Sequence, residues 1–278
     1  MAHKTYPRSI QLGDLFEVIA DAIPNEPALI TNDVKFTYAE LDERITRLAN
    51  YLLSIGIKRG EHVGVHAQNT HEWVEAFYAC AKISAVAINV NYRYVAAELR
   101  YLYDNADCVA VIAEPEYLSA INDVRDALPN LRNVIVIGAE YEAALAAASP
   151  DRDFPGRTAD DVYVLYTGGT TGMPKGVMWR HEDVILGAMN SARGNRPIER
   201  VEQLGEEAAA SGFRARLMSI GPMMHGGGQW IMGNAITAGG CFVLYTKKRF
   251  DAHDVWQLVA DGVVTSVSTI GDAMARPL

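Results

Sequence analysis

Short β-branched runs alternate with segments of helical period along this chain, and that alternation restricts the fold more than any other feature. EHVGVHAQN (61 to 69), SAVAINVN (84 to 91), CVAVIAE (108 to 114) and NVIVIGA (133 to 139) are continuous apolar runs, the pattern of strands buried on both faces. Between them, AELDERITRLANYLLSIG (39 to 56), HEWVEAFYACAK (71 to 82), VAAELRYLYDNA (95 to 106) and EYLSAINDVRDAL (116 to 128) set apolar residues at helical spacing. Thr37 and Glu40 are spaced as a capping box before the first of these, and Gly56 stands where a glycine would end it. Strands alternating with helices over short connections imply βαβ units and a mostly parallel sheet, so the expected fold class is α/β.

The pattern breaks once. The alanine-rich stretch 143 to 148 gives way to Pro150, Pro155, Gly156 and scattered aspartates, which reads as a surface linker. Alternation then restarts, with strands expected at 161 to 167, 216 to 222, 240 to 246 and 263 to 270 and helices at 181 to 190, 228 to 238 and 251 to 260. The charged, weakly periodic 191 to 215 reads as an excursion from the core. Two α/β lobes with mostly parallel sheets flanked by helices are therefore expected: residues 1–150 form the first, and 151–278 begin a second that is incomplete. The chain stops at GDAMARPL soon after a strand, an ending that reads as truncated.

Charge and cysteine count narrow the partners. With 25 Lys and Arg against 34 Asp and Glu, the formal net charge is -9, unsuited to a general nucleic-acid binder, which needs a basic face. An anion must instead be captured locally. Cys80, Cys108 and Cys241 follow no paired spacing, so neither disulfides nor a metal site is expected. The N-terminal residues MAHKTYPRSIQLGDL lack the long apolar core of a secretory signal, and no apolar run approaches the ~20 residues of a membrane span; a cytoplasmic location is expected. A homo-oligomer is left open.

The local anion site is legible at residues 164 to 177, VLYTGGTTGMPKGV. The glycines follow the carboxyl end of an expected strand, where open α/β sheets place their ligands. Backbone amides in a glycine-rich loop can form a concave anion nest, hydroxyls come from Thr167, Thr170 and Thr171, and Lys175 adds a cation. The set Thr167, Gly168, Gly169, Thr170, Thr171, Gly172 and Lys175 suits a polyphosphate. Spacing excludes two better-known loops. A Walker loop has Gly before its Lys and Ser or Thr after it, whereas Lys175 lies between Pro174 and Gly176; the three glycines do not give G-x-G-x-x-G. A mobile surface loop is the bland alternative.

The whole string YTGGTTGMPKGV resembles the signature loop of the adenylate-forming superfamily, with Gly168 where that family commonly has Ser. A second stretch, PMMHGGGQW (222 to 230), resembles the same family's P-M-x-H motif. That resemblance implies a place for His225 beside the carboxylate and the developing acyl adenylate; alone, His225 would read as an ordinary loop histidine. Gly226, Gly227 and Gly228 leave a wall open to bulky acids, or else form a flexible entry to the next helix. Trp230 and Met224 line the same pocket or belong to the core. The opening lobe is also similar to the family, and KGVMWRHEDV with STIGDAMARPL looks most like a branch of actinobacterial fatty-acyl and sterol-side-chain CoA ligases.

The resemblance implies an acid:CoA ligase that uses ATP, Mg2+ and CoA. A carboxylate attacks the α-phosphate of ATP, pyrophosphate leaves, and the CoA thiol then displaces AMP. Lys175, His225 and Thr170 would be the catalytic residues within this chain, and no metal ligand is assigned. The family's magnesium-binding Glu, ribose-binding Asp, hinge and C-terminal lysine motifs do not occur in these residues, so the implied identity is the N-terminal part of such an enzyme, inactive alone. Two alternatives remain: an acyl-AMP or amino-acid-activating enzyme, and a catalytically dead interaction module.

Overall fold

The computed structural model describes residues 8–168, 172–269 and 271–278. From the N-terminus, the elements are α1 (Leu12–Ala22), β1 (Pro27–Thr31), β2 (Lys35–Thr37), α2 (Tyr38–Ser54), β3 (His62–His66), α3 (His71–Lys82), β4 (Val86–Asn89), α4 (Ala96–Asn105), β5 (Cys108–Ala113), α5 (Leu118–Arg125), β6 (Asn133–Val136) and α6 (Ala139–Ala147). There follow β7 (Val162–Thr167), β8 (Lys175–Arg180), α7 (His181–Ala188), α8 (Glu202–Ala210), β9 (Arg216–Ser219), α9 (Gly226–Thr237), β10 (Cys241–Leu244), α10 (Ala252–Gly262), β11 (Ser266–Ser268) and α11 (Asp272–Ala275). None of the described helices is long and apolar enough to cross a membrane.

The first four apolar runs form one parallel sheet in the order β4-β3-β5-β6, as their patterning implies. The capping box is present: Thr37 Oγ1 accepts from the Glu40 N–H at 3.2 Å, and Glu40 accepts from the Thr37 N–H at 2.8 Å. Gly56 follows α2 with φ +86°, a conformation that favours glycine.

The second sheet crosses the expected boundary at residue 150. Its order is β11-β9-β10-β1-β2, with Leu29 opposite Phe242 in parallel register. Strands from the first forty residues thus extend the sheet made by residues 216–268, and the sheets do not divide as 1–150 and 151–278. The cause lies in PALIT, a short run whose Ala28, Leu29 and Ile30 are buried and which strand β10 accepts as a neighbour.

Three further expectations need correction. The alanine-rich stretch is helical through Ala147, as alanine's propensity favours. The segment after it is strapped down: Phe154 is buried, Arg152 pairs with Asp21 and Asp42, and Arg157 pairs with Asp14 and Glu17. Those arginines meet acids that also surround Lys82, which is fully buried against Glu17 and Asp42, so the supposed linker supplies counter-charge to the interior. Within 191–215, α8 packs on α1; a Cβ on Gly205 would lie 2.6 Å from the Val18 carbonyl oxygen, and the absence of one allows the close approach.

The last correction concerns the phosphate-loop strand. β7 does not belong to a parallel sheet; it forms an antiparallel hairpin with β8, Thr167 opposite Lys175. KGVMWR alternates too weakly to announce a strand, and its outer face is exposed.

Candidate functional site

The hairpin carries the expected phosphate loop at its tip. Thr167 and Lys175 face each other as the last pair of the ladder, which fixes a hydroxyl and an ammonium at the mouth of residues 168–174. Both are exposed. Lys175 has no ion pair among the described residues. Gly169, Thr170 and Thr171 lie outside the described residues. A Cβ on Gly168 would meet nothing within 4 Å, so the position has room for the serine common in the family. Gly176 differs: a Cβ there would lie 2.9 Å from the Tyr166 ring, which lies across the bare backbone of its cross-strand partner.

The second motif forms a turn after β9. The His225 N–H donates to the Pro222 carbonyl at 3.1 Å, and His225 is the N-cap residue of α9. Its ring is exposed to solvent at one side; partial desolvation, then the nearby Arg93 guanidinium, lower its pKa below the ordinary histidine value. A neutral imidazole therefore stands at the N-terminus of α9 at neutral pH.

Side-chain amides hold this turn. Asn69 accepts from the Met223 N–H at 2.8 Å and donates to the carbonyls of Gly221 and Tyr245 at 3.2 and 3.0 Å. Gln229 donates to the Met223 carbonyl at 3.0 Å and accepts from the Tyr163 hydroxyl at 2.7 Å. Asn89 donates to the carbonyls of Tyr166 and Met224 at 2.8 and 2.6 Å and accepts from the Tyr166 N–H at 2.8 Å. The structure thus brings the start of the loop and the His225 turn to the same buried amide.

The three glycines after His225 separate into two kinds. A Cβ on Gly228 would lie 2.9 Å from the Pro222 carbonyl oxygen, and one on Gly226 would lie 2.7 Å from Leu165 Cδ2. At Gly228 the obstacle is backbone and requires glycine, whereas at Gly226 it is the end of a side chain. Only Gly227 of the three faces open space. Trp230 meets Trp179 of β8 at 5.7 Å with the rings tilted by 40°, and Trp179 stacks at 5.8 Å on Tyr163, so an aromatic chain joins α9 to the hairpin. Met224 is buried.

A cavity of about 230 Å³ lies between α9 and the second sheet, walled by Leu217, Met218 and Ile231 with the hydroxyl-bearing Ser191, Ser266 and Ser268. No charged side chain lines it. Elsewhere, His71, Glu72 and Glu142 group within metal-binding distance of one another, but Arg44 already spans Glu142 and Glu75, an ion-pair network with its own cation.

Sequence reasoning missed Asn69, Asn89 and Arg93. The available signal was positional: Asn89 is the polar last residue of a buried parallel strand, and Asn69 and Arg93 follow strand ends by a few residues. Those are the places where such sheets present functional groups.

Comparison with known proteins agrees with this geometry. The profile of the AMP-binding enzyme family matches residues 16–276. The 3-oxocholest-4-en-26-oate--CoA ligase of Rhodococcus rhodochrous is 43% identical over 97% of this chain and 51% of its own length. The medium/long-chain-fatty-acid--CoA/3-oxocholest-4-en-26-oate--CoA ligase of Mycolicibacterium smegmatis is 40% identical with the same coverage. The chain spans about half the length of the curated relatives it matches. Among solved structures, the inhibitor-bound N-terminal domain of FACL13 from Mycobacterium tuberculosis superposes with TM-score 0.82 at 25% identity, over 96% of this chain and 64% of that one. The anthranilate CoA ligase AuaEII with anthranoyl-AMP shares the fold with TM-score 0.79 at 23% identity, over 92% of this chain and 49% of its own.

Proposed function

We propose, since this chain belongs to the AMP-binding enzyme family, that it carries the phosphate-binding and acid-facing part of an ATP-dependent acid:CoA ligase. The observation that carries this reading is the convergence of two motifs on one buried side chain. Asn89 bonds both Tyr166, one residue before the Thr167/Lys175 pair, and Met224, one residue before His225.

In this reading the carboxylate oxygen attacks the α-phosphorus of ATP and the bond to the bridging oxygen breaks, releasing pyrophosphate. The thiol of CoA then attacks the acyl carbon and AMP leaves with its oxygen. Lys175, the Thr167 hydroxyl and the loop from Gly168 to Gly172, including Gly169, Thr170 and Thr171, face the β and γ phosphates. There a fixed ammonium and fixed amide dipoles stabilise charge that grows on the leaving group. His225, kept neutral by its surroundings, offers one hydrogen bond to the carboxylate without a charge that would hold the ground state.

Magnesium would arrive with ATP. Residues 162–180 contain no side-chain carboxylate, so this hairpin suits the phosphates rather than the ion. In this reading the acid's hydrocarbon part lies toward α9, with Gly226, Gly227, Gly228 and Trp230 beside His225. Relatives named for medium- and long-chain fatty acids and for 3-oxocholest-4-en-26-oate support a fatty or sterol-side-chain acid as substrate. ATP and CoA as co-substrates support a cytoplasmic setting.

The test is acid-dependent exchange of labelled pyrophosphate into ATP by the complete protein, across fatty acids of graded length, sterol-side-chain acids and amino acids. Exchange with fatty or sterol-side-chain acids, followed by thioester formation when CoA is added, is expected. Exchange with amino acids alone would remove the ligase reading.

A further inference from the structure

Asn89 is the last residue of β4, in the four-stranded sheet, and its side chain is 5% exposed. A primary amide has two N–H donors and one carbonyl acceptor, and Asn89 uses all three on two separate segments. Both backbone polar groups of Tyr166 are taken: its N–H donates to Oδ1 and its carbonyl accepts from Nδ2, each at 2.8 Å. The remaining N–H reaches the Met224 carbonyl at 2.6 Å. To β7 the side chain therefore acts as a neighbouring peptide group. To the turn it is a tether placed next to His225.

Among the described residues no strand hydrogen bond joins the β7–β8 hairpin to either larger sheet, so its position depends on side chains. Tyr163 meets Gln229 of α9, the Tyr166 hydroxyl meets Asn105, and the aromatic chain packs between them. Among the described residues, only Asn89 bonds the backbone of the hairpin and of the His225 turn at once. We propose that Asn89 is a positioning residue that sets the separation between the phosphate loop and His225, a role that rests on the reading of these two as jaws of one site. In-line attack tolerates misplacement poorly, a shift of about 1 Å costing ~10²-fold in rate. A residue that sets this separation acts on turnover rather than on ATP affinity, because the loop's own contacts to the phosphates are unchanged.

Asn69 is the control. It holds the same turn, through Met223 and Gly221, but bonds nothing in the hairpin. In the complete protein, Asn89→Ser, Asn89→Ala and Asn69→Ala are compared by amide hydrogen exchange around Tyr166 and Met224, and by pyrophosphate exchange resolved into kcat and KM for ATP. Both Asn89 variants should speed amide exchange at the two segments together, by about tenfold or more, whereas Asn69→Ala should speed only the turn. The Asn89 variants should lower kcat by ~10²-fold with KM for ATP within about threefold, and Asn69→Ala should lower kcat by less than ~10-fold.

Independent opening of the two segments in the Asn89 variants, or a kcat loss no greater than that of Asn69→Ala, overturns the role. Should neither Asn89 variant fold, native-state exchange of the unaltered protein in mild denaturant decides: one shared opening supports the tether, and two unrelated openings refute it. Should the unaltered protein exchange pyrophosphate with no acid, the ligase reading fails while the hydrogen-exchange arm still decides the tether.

Discussion

The glycines that begin α9 allow a test in which neighbouring identical residues have opposite effects. Alanine at Gly227 would meet nothing within 4 Å. Replacing glycine where the backbone is already compatible restricts the unfolded chain and adds helix propensity, so Gly227→Ala should stabilise by about 0.5–1 kcal/mol. At Gly228 the new Cβ would lie 2.9 Å from the Pro222 carbonyl oxygen and 3.2 Å from Met223 Sδ. That carbonyl accepts from the His225 N–H and cannot retreat without opening the turn. Gly228→Ala should cost about 1–3 kcal/mol, the usual scale of overpacking against backbone. Gly226→Ala falls between, because its obstacle, Leu165 Cδ2 at 2.7 Å, is the end of a side chain that can rotate away. The extremes should differ by about 1.5–4 kcal/mol in urea unfolding followed by far-ultraviolet circular dichroism. A destabilised Gly227→Ala, or a Gly228→Ala equal to the unaltered protein, would refute this account of the turn. In the complete enzyme, Gly227→Leu should also exclude bulky acids while sparing short ones; equal loss of both would remove the open wall.

Lys175→Ala should lower the adenylation rate by ~10²-fold while changing carboxylate affinity little, as for a fixed charge aimed at a leaving group; unchanged pyrophosphate exchange would remove Lys175 from the mechanism. Lys82→Met should cost about 3–5 kcal/mol, because Glu17 and Asp42 would be left buried beside an apolar side chain; chemical denaturation showing less than about 1 kcal/mol would mean that Arg152 and Arg157 suffice. His66 and His181 are both held by burial at about 4, below the unfolded value of about 6.5. Their contribution is present above pH 6.5 and is lost as pH falls toward 4, by about 2 kcal/mol each at pH 5. Unfolding midpoints at pH 7.5 and 5 check this, and His66→Gln should flatten the dependence by its own share.

The sheet of β3 to β6 was legible because short β-branched runs alternate with segments of helical period, the first of them with a capping box and a glycine stop. β1 was not. Ala28, Leu29 and Ile30 make a short run paired with the three-residue strand that follows it, and its place in the second sheet is set by β10, more than two hundred residues away. No local pattern encodes that pairing. The hairpin failed for a different reason: β8 is exposed at nearly every position, with Val177 and Met178 uncovered on opposite faces, so its burial gives no alternation to read. Among the site residues, the loop and His225 were legible through their motifs. Asn69 and Asn89 are single asparagines whose importance comes from which carbonyls happen to reach them, and that information belongs to the tertiary structure.

The position of the site follows from how little supports the hairpin. A two-stranded ribbon is marginal in water by itself, so the hairpin persists because β7 is docked on both faces, Tyr163 and Leu165 in one core cluster and Val164 and Tyr166 in another. Tyr163, Val164, Leu165 and Tyr166 are all buried, in contact with both the first sheet and α9. A loop carried on such a ribbon is held by side-chain packing and a few amide bonds, each worth about 1 kcal/mol, rather than by the ladder of a large sheet. That arrangement makes the loop's placement sensitive to single residues: the Tyr166–Asn105 bond, the Trp179–Trp230 contact and Asn89 each tie the ribbon to the body. Loss of one should move the loop without unfolding the sheets, so stability and turnover should separate at these positions, whereas at Lys82, remote from the loop in its contacts, stability alone should fall.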